Sequence, residues 1–530
     1  MEIVQRVISQ YRTGRALKPE NLGGCTFDTL KGSTARDEVL QQCGLNDPTD
    51  TQKTDEELLT LADKNIHIFP YSSVKECWFS LHAHASIGVV EALLKSFDQE
   101  SDPDGKEILL SEAISTLDNA LLLAARGAEK QKDTIQEVFR LLEPIVKALD
   151  GDEHNGGTDD RPTKRRRISE QVDEFISVES TKVLPTQLCP LPTITHPVAI
   201  HPLMDPGKFG IRTSQSREPL LIQSKQKLGW PALCKWQDVQ YWMDRTCGGR
   251  RLIPVEIGQS YNDDDWRQEI MPFKQFLNQY ILPSESTDGE VGYLAQHDLV
   301  SQMPLLSADM PVPAYCYGDL RFRPPSQCGY HEQQNGNHLQ HSKTADEARL
   351  ESTREIHQNI WFGGRTVSPL HHDPYHNIFC QVHGVKYIRL YGPDHTTRLY
   401  PRSKNEPAPH QSNYTFDVYS VIESSSKGKD GATTPPAEAQ PTSEEEPSGK
   451  EPSTIDMSNN SGVDVYAMEL SPHEDWDEKW PGISQVPYVE CILHPGDQLY
   501  IPKGWWHYVR ALSATGISAS FWWEGACEAE

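Results

Sequence analysis

The residues best suited to chemistry lie in the stretch 368–391, SPLHHDPYHNIFCQVHGVKYIRLY. His371 and Asp373 are two positions apart, and alternate residues of a strand project from one face, so an imidazole and a carboxylate converge there on one ion. His372 then points the opposite way. Pro374 removes a backbone donor and ends the strand, which places the pair where a site can open. A second run, 377–391, is interrupted at His383-Gly384, where the spacing predicts a tight hairpin. On its returning limb Lys386, Ile388 and Leu390 share a face. The ligand pair and the lysine are therefore expected on neighbouring strands.

A lysine aligned with two aliphatics is either an edge residue whose charge reaches water or a buried cation that needs an anion. Beside a His-x-Asp pair, a small dicarboxylate bound next to the metal would supply that anion. His507 is the best third ligand: it follows a Pro495-Gly496-Asp497 turn, a short apolar strand over 498–502 and a Lys503-Gly504 turn. Two histidines and one carboxylate that leave positions open suit non-haem Fe(II). Any one of the chain's 20 histidines is more often structural, so the combination carries the reading.

IPVEIG (253–258), VGYLAQH (291–297), SPLHHDP through KYIRLY (368–391), IPKGWWHYVRAL (501–512) and Ser520-Phe521-Trp522-Trp523 resemble the Jumonji C (JmjC) family. Its members are Fe(II)- and 2-oxoglutarate-dependent oxygenases, and the closest likeness is to the hydroxylase-type branch. The resemblance implies an α+β chain, with a double-stranded β-helix (cupin, or JmjC jelly-roll, barrel) preceded by an all-α N-terminal domain. It implies Fe(II) held by His371, Asp373 and His507, with dioxygen as a further reactant. Lys386 would pair with 2-oxoglutarate, supported by Tyr293, Ser368, Asn377 and Trp522. The implied reaction hydroxylates a protein side chain, with arginine-type C–H bonds favoured, as 2-oxoglutarate is decarboxylated to succinate. Demethylation of N-methyl-lysine in a histone is an alternative that uses the same iron chemistry. A second alternative is a non-catalytic JmjC-fold binding protein. The reader modules and zinc fingers usual in histone demethylases of this family are not evident, which favours hydroxylation. Trp361, Trp505 and Trp506 either wall the cavity or fill core.

Positioning this barrel falls to the rest of a 530-residue chain, long enough for more than one domain. A formal charge of −26 argues against nucleic-acid binding and suits a basic protein or peptide substrate. Eleven cysteines without CxxC pairs point to a reducing compartment and no zinc finger. No secretory leader is expected at the start, and no run is expected to span a membrane.

Residues 1–148 read as an antiparallel helical domain. Helical spacing marks 80–97, 109–125 and the face of Ile135, Val138, Phe139, Leu142, Ile145, Val146 and Leu149. Pro144 is expected to kink or restart the last helix, and Gly127 and Asp102-Pro103 to separate helices. The apolar stripes form either a core or a docking surface. A flexible linker, 149–215, follows, with the dense basic run Lys164-Arg165-Arg166-Arg167. That run reads as a signal for an import receptor, so a nuclear location, with a cytoplasmic share, is expected. Phosphorylation of Ser169 would add negative charge beside it and weaken import.

The catalytic domain is placed at 216–530, with strands over 219–223 and 252–258 and helices over 230–242 and 266–281. Two disordered insertions are expected, near 321–352 and 421–463. The first carries His331, His338 and His341 without zinc-like spacing and reads as a mobile loop. The second separates Asp373 from His507 at little entropic cost.

Overall fold

The computed structural model describes residues 1–12, 35–45, 52–66, 74–123, 128–154, 183–223, 229–258, 266–283, 290–321, 355–404, 406–407 and 454–524. The basic run at 164–167, Ser169, Gly127, the three histidines of the first insertion and most of both insertions lie outside them.

Among the described residues, six helices make up the N-terminal part: α1 (Glu2–Arg12), α2 (Ala35–Gln42), α3 (Asp55–Ile66), α4 (Glu76–Gln99), α5 (Pro103–Leu123) and α6 (Glu129–His154). Local chemistry starts them. Thr54 accepts from Glu57 N–H at 3.2 Å while Glu57 reaches back to Thr54 N–H at 2.7 Å, a reciprocal cap on α3. Asp102 caps α5 through Gly105 N–H, with Pro103 in the first turn where its missing donor is harmless. Helix α4 lies at the centre. Ala83, Ile87, Val90 and Leu94 pack with residues of α1, α5 and α6, and Leu81 and Ala85 with α2 and α3. By length and composition α4 is apolar enough to cross a membrane, contrary to the sequence expectation. Its apolar surface is covered within the bundle instead.

Helix α6 runs through Pro144 and on to His154, so 149–154 is helix rather than linker. Ile135, Val138, Phe139 and Leu142 on one side of the proline and Val146 on the other share one buried core, and packing holds the helix across the break.

The barrel domain contains, among the described residues, two main sheets. The larger runs β1 (Ile200–Pro202), β2 (Leu220–Gln223), β13 (Gln498–Ile501), β8 (His376–His383), β15 (Gly516–Trp523), β6 (His357–Gly363), β5 (Gly292–His297), β3 (Leu252–Ile257) and β4 (Arg267–Pro272). The smaller runs β12 (Tyr488–Leu493), β9 (Lys386–Tyr391), β14 (Trp506–Ala511) and β7 (Val367–His372). A short ribbon, β10 (Glu406–Pro407) with β11 (Thr454–Ile455), stands beside them. Leu221, Phe379, Leu499 and Ile501 from the large sheet meet Ile388, Leu390, Leu493 and Val509 from the small one, which makes the barrel interior. The outer face of the large sheet buries a separate core that includes Trp236, Trp242, Phe273, Phe276 and Phe362.

The hairpin expected at His383-Gly384 does not form. Strand β8 belongs to one sheet and β9 to the other, and Gly384, at φ +72°, turns the chain between them. The ligand pair and the lysine are not on neighbouring strands either, because β14 lies between β7 and β9. Residues 230–242 form two short helices, Ala232–Lys235 and Val239–Arg245, since Asp238 caps a new start through Gln240 N–H. The first part of 266–281 is strand β4, paired with β3 along its length, and only after Pro272 does the chain coil. From residue 183 the expected linker is laid on the barrel. Cys189 N–H bonds Leu512 at 2.7 Å, Ala514 N–H bonds Gln187 at 2.8 Å, and Glu490 and residues 196–198 bond reciprocally.

The helical part is joined to β3 through buried charge. Asp118 of α5 accepts from the Arg251 guanidinium at 2.8 Å and from Leu252 N–H at 2.8 Å. Gln302 closes the set with donations to Asp118 and to the Leu252 carbonyl.

Candidate active site

Strand β14 sits between β7 and β9 and brings the distant histidine into place: His507 pairs with His371 on one side and with Leu390 on the other. One donor atom from each of His371, Asp373 and His507 falls within a cluster 4.8 Å across. The His507 Nε2 to Asp373 Oδ2 distance is 3.6 Å, and the two imidazole rings lie 4.2 Å apart. Each histidine turns Nδ1 to the carbonyl two residues before it: His371 to Pro369 at 2.7 Å and His507 to Trp505 at 3.1 Å. An Nδ1–H that donates to a carbonyl leaves Nε2 as a lone-pair donor, the tautomer a metal needs. Burial pushes the His507 imidazolium down, and the neighbouring His371 adds to that. His372 points away and packs edge-on against Trp506 at 4.6 Å.

A bulge decides which other residues face this cluster. Between His507 and Val509 the pairing slips, so that Val509 lies opposite Ser368 and β7 holds one residue more than its partner. The bulge restores Ser368 to the His371 face despite a separation of three. Val367 and Leu370 accordingly both pack in the outer core.

Deeper in the barrel, Lys386 is 2% exposed, and its Nζ contacts the Tyr293 hydroxyl at 3.2 Å. Among the described residues no carboxylate pairs with it, and burial pulls its ammonium down to about 7. Asn377 and Trp522 are direct cross-strand partners on the same inner side, and Asn377 Oδ1 and Trp522 Nε1 are buried without hydrogen bonds. Such groups are costly to leave unmet. A His-Asp-His donor set, an unneutralised lysine and two unmet polar atoms fit an iron ion with an anionic cosubstrate.

Of the tryptophans, Trp361 faces the interior and donates to Ser520 Oγ at 2.9 Å. Trp505 packs partly against that interior. Trp506 does not wall the cavity. It belongs to the outer core of the small sheet, because it alternates with His507 along β14.

Two features escaped the sequence reading. Glu256 of β3 lies opposite Tyr293 of β5, on the face away from Val255 and Ile257, and burial raises its carboxyl to about 7. Its signal was present in the alternation of IPVEIG, where one carboxylate interrupts an otherwise apolar strand. The second is the end of the second insertion. Residues 459–461 bond the free edge of β7, with His372 N–H to the Asn459 carbonyl at 2.9 Å and Ser461 N–H to the Leu370 carbonyl at 2.8 Å. The stretch 454–463 is thus ordered, contrary to expectation, because an unpaired edge beside the site is satisfied by it.

Residues 207–529 match the family described as "Cupin-like domain". The chain is similar to lysine-specific demethylase 8 of Danio rerio, 29% identical over 419 residues that cover 78% of this chain and 75% of the relative. It is 30% identical to Jumonji C domain-containing protein 5 of Drosophila melanogaster over 346 residues, 64% of this chain and 63% of the relative. A shorter likeness, 26% over 175 residues, links 31% of it to 41% of a bifunctional peptidase and (3S)-lysyl hydroxylase of Homo sapiens. The last two alignments span less than two thirds of those relatives' own lengths.

Proposed function

Because this chain belongs to the cupin-like domain family, as a JmjC member of it, we propose that it is an Fe(II)- and 2-oxoglutarate-dependent oxygenase that hydroxylates a side chain of a basic protein. One observation carries the reading: a His-Asp-His cluster shares a barrel interior with a buried lysine that has no carboxylate partner among the described residues.

His371, Asp373 and His507 would hold the iron, their tautomers set by the Pro369 and Trp505 carbonyls. Lys386 and the Tyr293 hydroxyl would bind the far carboxylate of 2-oxoglutarate, and Ser368, Asn377 and Trp522 complete its pocket. When bound, iron and 2-oxoglutarate supply the oxidising chemistry: dioxygen is divided between succinate and the substrate hydroxyl, and carbon dioxide is lost. Phe379, Ile388, Leu390 and Val509 keep the interior apolar and dry. Glu256, which has Trp266 beside it and no cationic partner among the described residues, would gain from a positive side chain of the substrate. That carboxylate suits arginine and lysine alike; arginine is favoured through the likeness to the hydroxylase-type branch.

The relative from Danio rerio bears a demethylase name, which favours N-methyl-lysine demethylation as a second reading. The purified protein, incubated with iron, 2-oxoglutarate and a pool of basic nuclear peptides, separates the two by mass. One added oxygen on arginine with stoichiometric succinate supports hydroxylation, and loss of a methyl from lysine supports demethylation. No succinate under any condition would overturn both.

A nuclear location is part of the same proposal, supported by the basic run at 164–167 as an import-receptor signal. Replacing its four residues with alanine should leave a fluorescent fusion in the cytoplasm.

A further inference from the structure

Among the described cysteines, two pairs of thiols lie close enough to influence each other. Cys316 and Cys380 are sealed in the core beneath the large sheet, both 0% exposed. Cys43 and Cys77 are the opposite case, because both are partly open to solvent. Cys43 follows the end of α2, and Cys77 stands in the first turn of α4. Cys43 Sγ lies 3.2 Å from the Cys77 carbonyl oxygen. Burial, and after it the neighbouring Cys77 side chain, pushes the Cys43 thiol up, so the pair is slow to ionise and its reaction rests on proximity. Below them, Val39 and Leu40 of α2 pack against Leu81 and Ala85 of α4, so the helices next to the two sulfurs are held together before any bond forms.

We propose that Cys43 and Cys77 are a modification site, a dithiol that a hydroperoxide converts to an intramolecular disulfide. One thiol is oxidised to a sulfenic acid as hydrogen peroxide is reduced and one water leaves. The second thiol attacks that sulfur, the S–S bond forms, and the hydroxyl departs with the attacking proton as a second water. Two thiols are oxidised by two electrons in all, and one peroxide is consumed. The product staples α2 to α4 and restricts the unfolded chain, so oxidation raises the thermal midpoint of the helical part.

The test exposes the full chain to hydrogen peroxide for a short time, blocks remaining thiols and maps peptides by mass. The expected result is one linked Cys43–Cys77 peptide, two hydrogens lighter than the sum of its parts and released by dithiothreitol. A rise in thermal midpoint should accompany it in the parent and be absent from Cys43→Ser and Cys77→Ser. The proposal is overturned if both cysteines stay alkylatable while exposed Cys189 and Cys234 are oxidised. It also fails if these cysteines crosslink only between molecules.

Discussion

The Asp118 carboxylate and the Arg251 guanidinium meet at 2.8 Å where helix α5 abuts strand β3, with relative side-chain exposures of 0% and 4%. Arg251 also lies over the Phe139 ring of α6, 3.6 Å from its centroid. Helical part and barrel are thus joined by a buried ion pair, and Arg250 adds two more links, to Glu107 at 2.7 Å and to Asp150 at 2.8 Å.

Asp118→Ala should therefore destabilise the whole chain by about 3–5 kcal/mol, because it strands a buried guanidinium. Urea unfolding measures the loss. Asp118→Leu with Arg251→Met should recover much of it, since the unpaired charge is gone. A chain lacking residues 1–154 should be poorly soluble. A stable, active barrel from that truncation would show the joint to be dispensable.

His371→Ala should abolish both metal binding and succinate formation, whereas His372→Ala should bind metal and lose only stability, through its contact with Trp506. Metal content after dialysis and 2-oxoglutarate turnover read the two effects apart. Equal loss of metal in both variants would refute the ligand assignment.

Lys386→Met should raise the 2-oxoglutarate requirement about tenfold or more while iron affinity stays the same, as expected for one lost charge-assisted bond. The same variant has a pH signature. In the fold the lysine titrates at about 7 against the ordinary 10.5. The unfolded chain then binds more protons between those values, so stability of the parent protein rises with pH across that window. Below it the methionine variant should be more stable, by on the order of a few kcal/mol, and the advantage should shrink toward pH ~10. A difference independent of pH would mean that the lysine already has its anion.

Glu256→Gln should raise the KM for a basic peptide and spare succinate formation in the absence of peptide. With its carboxyl at about 7, Glu256 is ionised only above that pH in the substrate-free protein. Peptide affinity should increase as pH rises through neutrality in the parent and stay flat in the variant. A parallel rise in both would exclude Glu256 as the cation's partner.

Much of the site was legible in the sequence because it depends on short-range periodicity. Alternation along one strand assigns His371 and Asp373 to one face and His372 to the other, and aligns Lys386 with Ile388 and Leu390. Helical spacing likewise marks the buried face of Ile135, Val138, Phe139 and Leu142.

What pairs with what is another matter, since a strand's partners are chosen by which arrangement buries both sheets' faces together. Nothing local to 383–384 distinguishes a hairpin from a crossing between sheets, so the separation of β8 from β9 came only with tertiary structure. The same holds for the insertion of β14 between β7 and β9, which delivers His507 from a distant part of the chain. The bulge that returns Ser368 to the inner face exists only relative to β14. Sequence alone determined the chemistry of the donors and their local parity. Tertiary packing decided which strands stand side by side, that Glu256 lies opposite Tyr293, and that Asp118 of a helical segment anchors the strand that carries it.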